Sequence, residues 1–507
     1  MEYEIIVGPR ELSVSPPLRG ELLDLVHRKF RYRVDNYQYT KAHTKGGWDG
    51  YKYIFHRNNK APSGCFRKLA NILESEGCKV DVNFIIDYTP VGSGKIFHLK
   101  QSQLDDFQKK APEKAVNNRF CIIKAPPRAG KTAVIGMIIK RIEHYPVLVI
   151  TNSEKDVVRQ IREKLHLYLK EPIGVFSEGE FEVENVVVSH YGAFDSVFNY
   201  IDKNKDRPKP SFSLKGLPKQ NSDRMKEIKK RFRQLRIAER NERILDFIKN
   251  TKVLLLDECH HALSDSFDNV LKNCDSIGYR IGTSATPQPN RSSMIELEAK
   301  IGPIITKVKF ETLIKSGRLT QPVVIVYELP QSWYTRHLVE YDEIYEANIV
   351  QNTRRNEFIA EIVKKLKQQN KTSFITVTKL EHGRLLRSLI PNSFFVNHKT
   401  STDTRMEVYN SLMGKKIHCV ITTIGKEALD LPRLDAIINA EGHESKVLTI
   451  QRLRSLTAAE GKETGLVIDF IDGGKYLLAS SYKRRNIYSK IKGFIVKNKK
   501  VRKDYKE

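Results

Sequence analysis

The sequence predicts an α/β protein: two doubly wound parallel-sheet domains, a small N-terminal α+β domain and an inserted basic helical hairpin. Three observations carry this. Two long blocks of the chain alternate short β-rich runs with helical stretches, the pattern of parallel sheets covered by helices. A phosphate-loop sequence, Ala125-Pro126-Pro127-Arg128-Ala129-Gly130-Lys131-Thr132, sits between such a run and a helix. A carboxylate pair, Asp257-Glu258, ends the apolar run Val253-Leu254-Leu255-Leu256.

The 507 residues exceed one hydrophobic core and imply several domains. Residues 1–93 read as the small α+β domain, with strands at Tyr3–Val7, Tyr51–Phe55 and Val80–Ile86 and helices at Leu18–Phe30 and Cys65–Glu76. Val91-Gly92-Ser93-Gly94 reads as a linker. Residues 94–318 form the first parallel-sheet domain, with strands at Cys121–Ile123, Val147–Ile150, Val186–Val188 and Val253–Leu256. Residues 201–250 interrupt it with little β signal and many Lys and Arg, hence the inserted hairpin. Residues 319–478 form the second block, with strands at Val323–Tyr327, Ser373–Val377, Phe394–Val396, Cys419–Ile421, Ala436–Ile438 and Leu466–Ile468. Residues 479–507 read as a basic helix and tail.

The net charge of +27 points to a polyanionic partner, nucleic acid first. The six cysteines form no Cys-x-x-Cys pair, which argues against a disulfide frame or a zinc site. The N-terminus lacks a signal-peptide layout, and no apolar run reaches the length of a membrane span. A cytoplasmic protein is expected.

In the phosphate loop, Gly130 permits close backbone approach, and the helix N-terminus supplies unpaired N–H donors to phosphates. Lys131 adds a point charge toward the β and γ phosphates, and the Thr132 hydroxyl is a magnesium ligand. Asp257 is positioned to hold the same ion, and Glu258 to polarise an attacking water. The expected cofactors are therefore ATP and Mg2+, with Thr132 and Asp257 as metal ligands. Arg128 either faces solvent or adds charge near the nucleotide.

These motifs resemble those of superfamily 2 helicases and translocases. Residues 125–132 are similar to their motif I, and Asp257-Glu258-Cys259-His260 to the DExH form of motif II. Gly282-Thr283-Ser284-Ala285-Thr286-Pro287 is similar to motif III, which implies that Ser284, Ala285 and Thr286 couple hydrolysis to movement. Leu99 to Gln103 resembles the adenine-reading element, with Gln103 as the reader. Thr151-Asn152-Ser153 resembles motif Ia, Ser189-His190-Tyr191 a later strand-contacting motif, and Thr422 to Pro432 motif V, which contains Asp430. Gln451-Arg452-Leu453-Arg454 falls where motif VI belongs. The resemblance implies two RecA-like domains with ATP bound between them, and Gln103, Gly130, Lys131, Thr132, Asp430 and Gln451 as nucleotide contacts. It also makes His260 a sensor of the nucleotide or a link to motif III. The stretch Leu313 to Leu319 and the N-terminal Gly47-Trp48-Asp49-Gly50 are similar to the phage UvsW-type subgroup, whose members anneal strands, remodel forks and move DNA junctions.

The sequence departs from the family at motif VI. The position of the usual second arginine is Ala458. Positions 451, 454 and 458 share a helical face, so Arg454 replaces the finger one turn earlier, with Arg452 the other candidate. On resemblance, Thr151, Ser153, Ser189, His190 and Thr422 line a DNA path, where hydroxyls and amides hold phosphates without reading sequence. Arg233, Arg236 and Arg240 on the basic hairpin either contact DNA, meet a protein partner or form a solvated surface. Trp48 either stacks on a base or belongs to the small domain's core.

The resulting expectation is an ATP-dependent DNA helicase or translocase acting on forked and branched DNA in replication, recombination or repair. It is expected to act as a monomer, alongside replication or recombination proteins. The alternatives are an RNA helicase, and an ATP-gated nucleic-acid clamp with little turnover, for which the altered motif VI is the argument.

Overall fold

The computed structural model describes the chain except residues 35–36, 45, 100–103, 127, 152–154, 178–179, 205–220, 286, 288–290, 318, 425–433, 444–463 and 503–507. It divides into two compact units, Met1–Lys124 with Lys131–Lys307, and Ala125–Gly130 with Val308–Glu507.

The first unit contains two sheets and a hairpin. Strands β1 (Glu2–Val7) and β2 (Glu11–Ser15) begin the N-terminal module. A two-stranded hairpin follows, β3 (Arg31–Arg33) with β4 (Tyr51–Tyr53). Then come β5 (Lys60–Pro62) and β6 (Lys79–Phe84), which complete a four-stranded sheet of order β5-β2-β1-β6. Period-2 burial along β1 and β2 sends Tyr3, Ile5, Val7, Leu12 and Val14 inward, against the helices Gly20–Lys29 and Phe66–Ser75. This core is continuous with that of the large sheet. Arg280 reinforces the connection: its buried guanidinium donates to the Pro9 carbonyl at 2.9 Å and lies 4.5 Å from the centre of the Phe120 ring.

The large sheet comprises β7 (Phe120–Lys124), β8 (Val147–Thr151), β9 (Ile173–Ser177), β10 (Glu180–Glu182), β11 (Val186–His190), β12 (Val253–Asp257), β13 (Tyr279–Ser284) and β14 (Ile304–Lys307). Its order is β10-β9-β11-β8-β12-β13-β7-β14, parallel except for the β9/β10 edge pair. Strands β8, β11, β12 and β13 are buried at every residue, which is why Val147–Ile150, Val186–Val188 and Val253–Leu256 read as unbroken apolar runs, whereas β13 carries Arg280, Thr283 and Ser284 and gives no such run.

The expected linker at 91–94 is docked: Gly92 and Gly94 donate to the Arg141 and Lys140 carbonyls at the end of the helix Lys131–Ile142. The helix Asp195–Asn204 runs into the start of the basic stretch 201–250, and among the described residues that stretch is otherwise the helix Asn221–Asn250. The second helix is anchored at its C-terminal end by buried Ile244, Phe247 and Ile248.

The second unit is built on seven parallel strands: β15 (Gln321–Glu328), β16 (Ser373–Thr376), β17 (Ser393–Val396), β18 (Cys419–Thr422), β19 (Ala436–Asn439), β20 (Thr464–Ile471) and β21 (Ile495–Lys500). Their order is β17-β18-β16-β19-β20-β15-β21. Apolar clusters on both faces place helices on both sides of the sheet. The basic C-terminal stretch supplies the helix Lys475–Lys490 and the edge strand β21.

A buried ionic web holds the C-terminal ends of these strands. Arg484 donates to Asp469 Oδ1 at 2.8 Å, to the Gly442 carbonyl at 2.8 Å and to the His443 carbonyl at 3.1 Å. Arg355 donates to Asp472 Oδ1 at 2.8 Å and to the Ala440 carbonyl at 3.1 Å. Burial works to lower the Arg484 pKa, but Asp469 and Asp472 outweigh it and keep the guanidinium charged. Such a web is costly to break from one side, because the remaining ion stays buried. Arg484→Met is expected to destabilise the second unit by about 3 kcal/mol or more, read as an earlier urea transition of that unit.

Candidate functional site

Lys131 and Thr132 open the helix Lys131–Ile142, which follows β7 through the loop 125–130. Arg128 and Gly130 both have left-handed backbone, with φ of 60° and 80°. Gly130 takes this conformation without steric cost, whereas Arg128 adopts it against its Cβ. Residues of alternating backbone hand turn successive N–H groups toward one point, a concavity suited to phosphate.

β12 carries the carboxylates to the C-terminal edge of the large sheet, where parallel α/β proteins place ligands. Asp257 ends the strand, and its Oδ1 accepts from Thr283 Oγ1 on neighbouring β13 at 2.8 Å. Glu258 leaves the strand with φ of 52°, a left-handed turn that separates its carboxylate from that of Asp257. The Lys131 ammonium donates to Glu258 Oε1 and lies 4.0 Å from Asp257 Oδ1. Ser284 Oγ donates to Glu258 Oε2 at 3.2 Å, and His260 Nδ1 lies 3.5 Å from that oxygen and 3.2 Å from Ser284 Oγ. Four side chains from three elements, Lys131, Thr283, Ser284 and His260, thus meet around two buried carboxylates.

Burial alone would raise the Glu258 pKa, but the Lys131 ammonium and His260 more than offset it and hold the carboxyl below its usual range. Glu258 is therefore a carboxylate at neutral pH, the form a general base needs. Its left-handed turn is backed by Cys259, which is fully buried and whose thiol is pushed well up by burial. His261 is lowered to about 4 by burial and by neighbouring His260, so it packs as a neutral ring.

The fit for ATP and a divalent ion rests on this geometry. A hydroxyl at a helix N-terminus, a carboxylate at the adjacent strand end and a cation close to both form a donor set suited to a phosphate-bound hard ion. Among the described residues, no cluster of three or more His, Cys, Asp or Glu could hold a metal by itself.

Of the other sequence-predicted residues, Ala285 follows β13 and is buried. Thr151, Ser189, His190 and Thr422 lie at the C-terminal ends of β8, β11 and β18, all buried. Ser189 donates to the Phe176 carbonyl at 2.7 Å, and Thr422 Oγ1 accepts from the Ile424 N–H at 2.9 Å. Arg233 and Arg236 are exposed on the helix Asn221–Asn250, and Arg240 is half-buried with its guanidinium on Asn241. Together with Lys229, Phe232 and Ile237 they line a groove of about 530 Å3. Trp48 is half-buried and donates to the Tyr51 carbonyl at 2.7 Å. Gln103, Ser153, Thr286, Asp430, Gln451, Arg452 and Arg454 lie outside the described residues.

Two contributors were not singled out from sequence. Thr283 belongs to the quoted motif and is signalled only by its place opposite Asp257 in the register. Gly282 is the second. A Cβ there would lie 2.8 Å from Cys259 Cβ, so motif II packs directly on the motif III strand. Gly282→Ala is expected to cost about 1–3 kcal/mol of stability and to lower ATP turnover, checked by thermal unfolding alongside steady-state hydrolysis.

Comparison with known proteins fits this geometry. Residues 100–289 match the family model described as "Type III restriction enzyme, res subunit". The ATP-dependent DNA helicase uvsW of Enterobacteria phage T4 is 21% identical over 87% of this chain and 85% of its own. The DNA 3'-5' translocase XPB2 of Sulfurisphaera tokodaii is 20% identical over 76% of this chain and 84% of its own. The solved structure of S. cerevisiae Dbp5 bound to RNA and ADP BeF3 has the same fold, with a TM-score of 0.50 and 12% identity over 79% of this chain and 90% of that one.

Proposed function

We propose that this chain, a superfamily 2 helicase related to phage UvsW, uses ATP and Mg2+ to drive DNA through its two α/β units and so unwinds or remodels forked and branched DNA. The observation that carries the reading is the web joining Lys131, Asp257 and Glu258 to Thr283 and Ser284. It ties the groups that handle the phosphates to the strand that answers to movement.

Lys131 is paired with Glu258. ATP competes for that ammonium, because a triphosphate is a stronger anion than one carboxylate. Lys131 then turns to the β and γ phosphates, and the released Glu258 accepts a proton from the attacking water. Thr132 and Asp257 would hold Mg2+, which would supply charge neutralisation on the phosphate oxygens. Ser284 and His260 lose or reorient their bonds to Glu258 as its charge changes, and β13 receives the signal. Gln103, Asp430 and Gln451 complete the nucleotide contacts, and Arg454, ahead of Arg452, serves as the finger on the transferring phosphoryl group.

DNA contacts come from backbone amides at the ends of β8, β11 and β18 and from Arg233, Arg236 and Arg240. Thr151, Ser189, His190 and Thr422 shape those strand ends from within, and Ser153 adds a hydroxyl. Contacts of this kind grip phosphate without reading bases. The residues 1–93 serve as an accessory DNA-binding domain. The protein works as a monomer in the cytoplasm, that of the bacterial host if the chain is phage-encoded, alongside replication or recombination proteins. Among the described residues no helix is long and apolar enough to cross a membrane.

Lys131→Ala and Glu258→Gln are each expected to reduce ATP turnover by at least about a thousandfold, with the Gln variant still holding ATP and DNA. Hydrolysis and strand separation measured on forked DNA, four-way DNA junctions and RNA duplexes test the substrate. The DNA branches should be processed and the RNA duplex should not. Undiminished hydrolysis in either variant, or preference for the RNA duplex, would contradict the proposal.

A further inference from the structure

We propose that the C-terminal edge of the second sheet is a separate DNA contact that holds the phosphate backbone of a duplex arm. The inference rests on DNA being the polymer, and it concerns a surface distant in sequence from every motif discussed above.

From Gly473 through Arg502 the chain carries ten Lys and Arg and no Asp or Glu. One of the ten, Arg484, is spent inside the fold on Asp469. Lys490, Lys492, Lys497, Lys499, Lys500 and Arg502 are all exposed. Among the described residues β21 is the last strand of its sheet, bonded to β15 on one side only. Its side chains alternate in direction, so Lys497 and Lys499 share one face and Lys500 takes the other. Glu328 stands opposite Lys500 in the register, and Glu311 approaches Lys492 but pairs with Lys315 at 3.1 Å. The cations therefore greatly outnumber the acids that face them.

Two plainer explanations compete. Lysines on an edge strand discourage pairing with another chain. That accounts for β21 but not for Lys490 and Lys492, which precede the strand. A generally solvated surface mixes signs, as the helix Thr353–Gln368 does where Lys364 and Lys365 both approach Glu361. The C-terminal edge has no such mixing along its own chain. The chemistry also selects the form of DNA. Ammonium groups are point charges suited to phosphate, and β21 carries no aromatic ring on which an unpaired base would stack. Duplex DNA, with one charge per about 1.7 Å of axis, is the denser anion.

The test is binding of the full chain to a blunt duplex, without nucleotide, across a range of salt. For K497Q/K499Q/R502Q the slope of log affinity against log salt should fall in magnitude by about 3, with affinity at moderate salt about tenfold or more weaker. The charge-retaining K497R/K499R/R502K should keep the original slope. Should the first variant fail to fold by circular dichroism, K490Q/K492Q provides the same readout with a fall of about 2. An unchanged slope overturns the proposal. An unchanged slope together with new self-association would assign the lysines to edge protection. If the unmodified chain binds no DNA at all, the proposed function fails rather than this surface alone.

Discussion

The buried contact between Lys131 and Glu258 is the constraint on which the site depends. An ammonium and a carboxylate taken out of water are costly unless they meet each other and further donors. Here Ser284, His260 and nearby Asp257 meet that requirement. The arrangement forces β12 to end in a left-handed turn and draws β13 close enough for its hydroxyls to bond both acids. It also leaves Lys131 with a partner that a triphosphate can displace. Nucleotide binding and strand response are thus two consequences of one cluster.

The second unit solves a different problem by similar means. Its strand ends are held by Arg355 and Arg484, which neutralise Asp472 and Asp469 and cap the carbonyls that follow β19. The chain beyond that point leads toward Gln451, Arg452 and Arg454. A rigid root before that segment suits the finger role proposed for Arg454, since the value of such a residue depends on reaching one oxygen at the right distance. Strength is placed where the backbone must not move, and charge is left on the outside where a polymer must slide.

Much of the fold was legible in the sequence because parallel strands buried on both faces leave uninterrupted apolar runs. Val253–Leu256 and Val147–Ile150 show this plainly. Strands that break the signal were harder to read. β2 offers only two apolar residues, Leu12 and Val14, over five positions, β5 is three residues long, and β21 reads as a charge run because an edge strand buries almost nothing. Of the site, Lys131, Asp257 and Glu258 announced themselves by spacing. The closeness of Cys259 to Gly282 did not, because contact between two strand ends leaves no local pattern. Arg484 was indistinguishable from its basic neighbours, since nothing in Lys483-Arg484-Arg485 marks which one turns inward toward Asp469.

The most direct test of the central claim is the ratio of forked DNA unwound to ATP hydrolysed in Ser284→Ala. Removing that hydroxyl takes one bond from Glu258 and leaves Lys131, Asp257 and Thr132 in place. Hydrolysis should stay within a few-fold of that of the unmodified chain, while strands separated per ATP should fall severalfold. An unchanged ratio would contradict the claim, because the carboxylate and the motif III strand would then act independently.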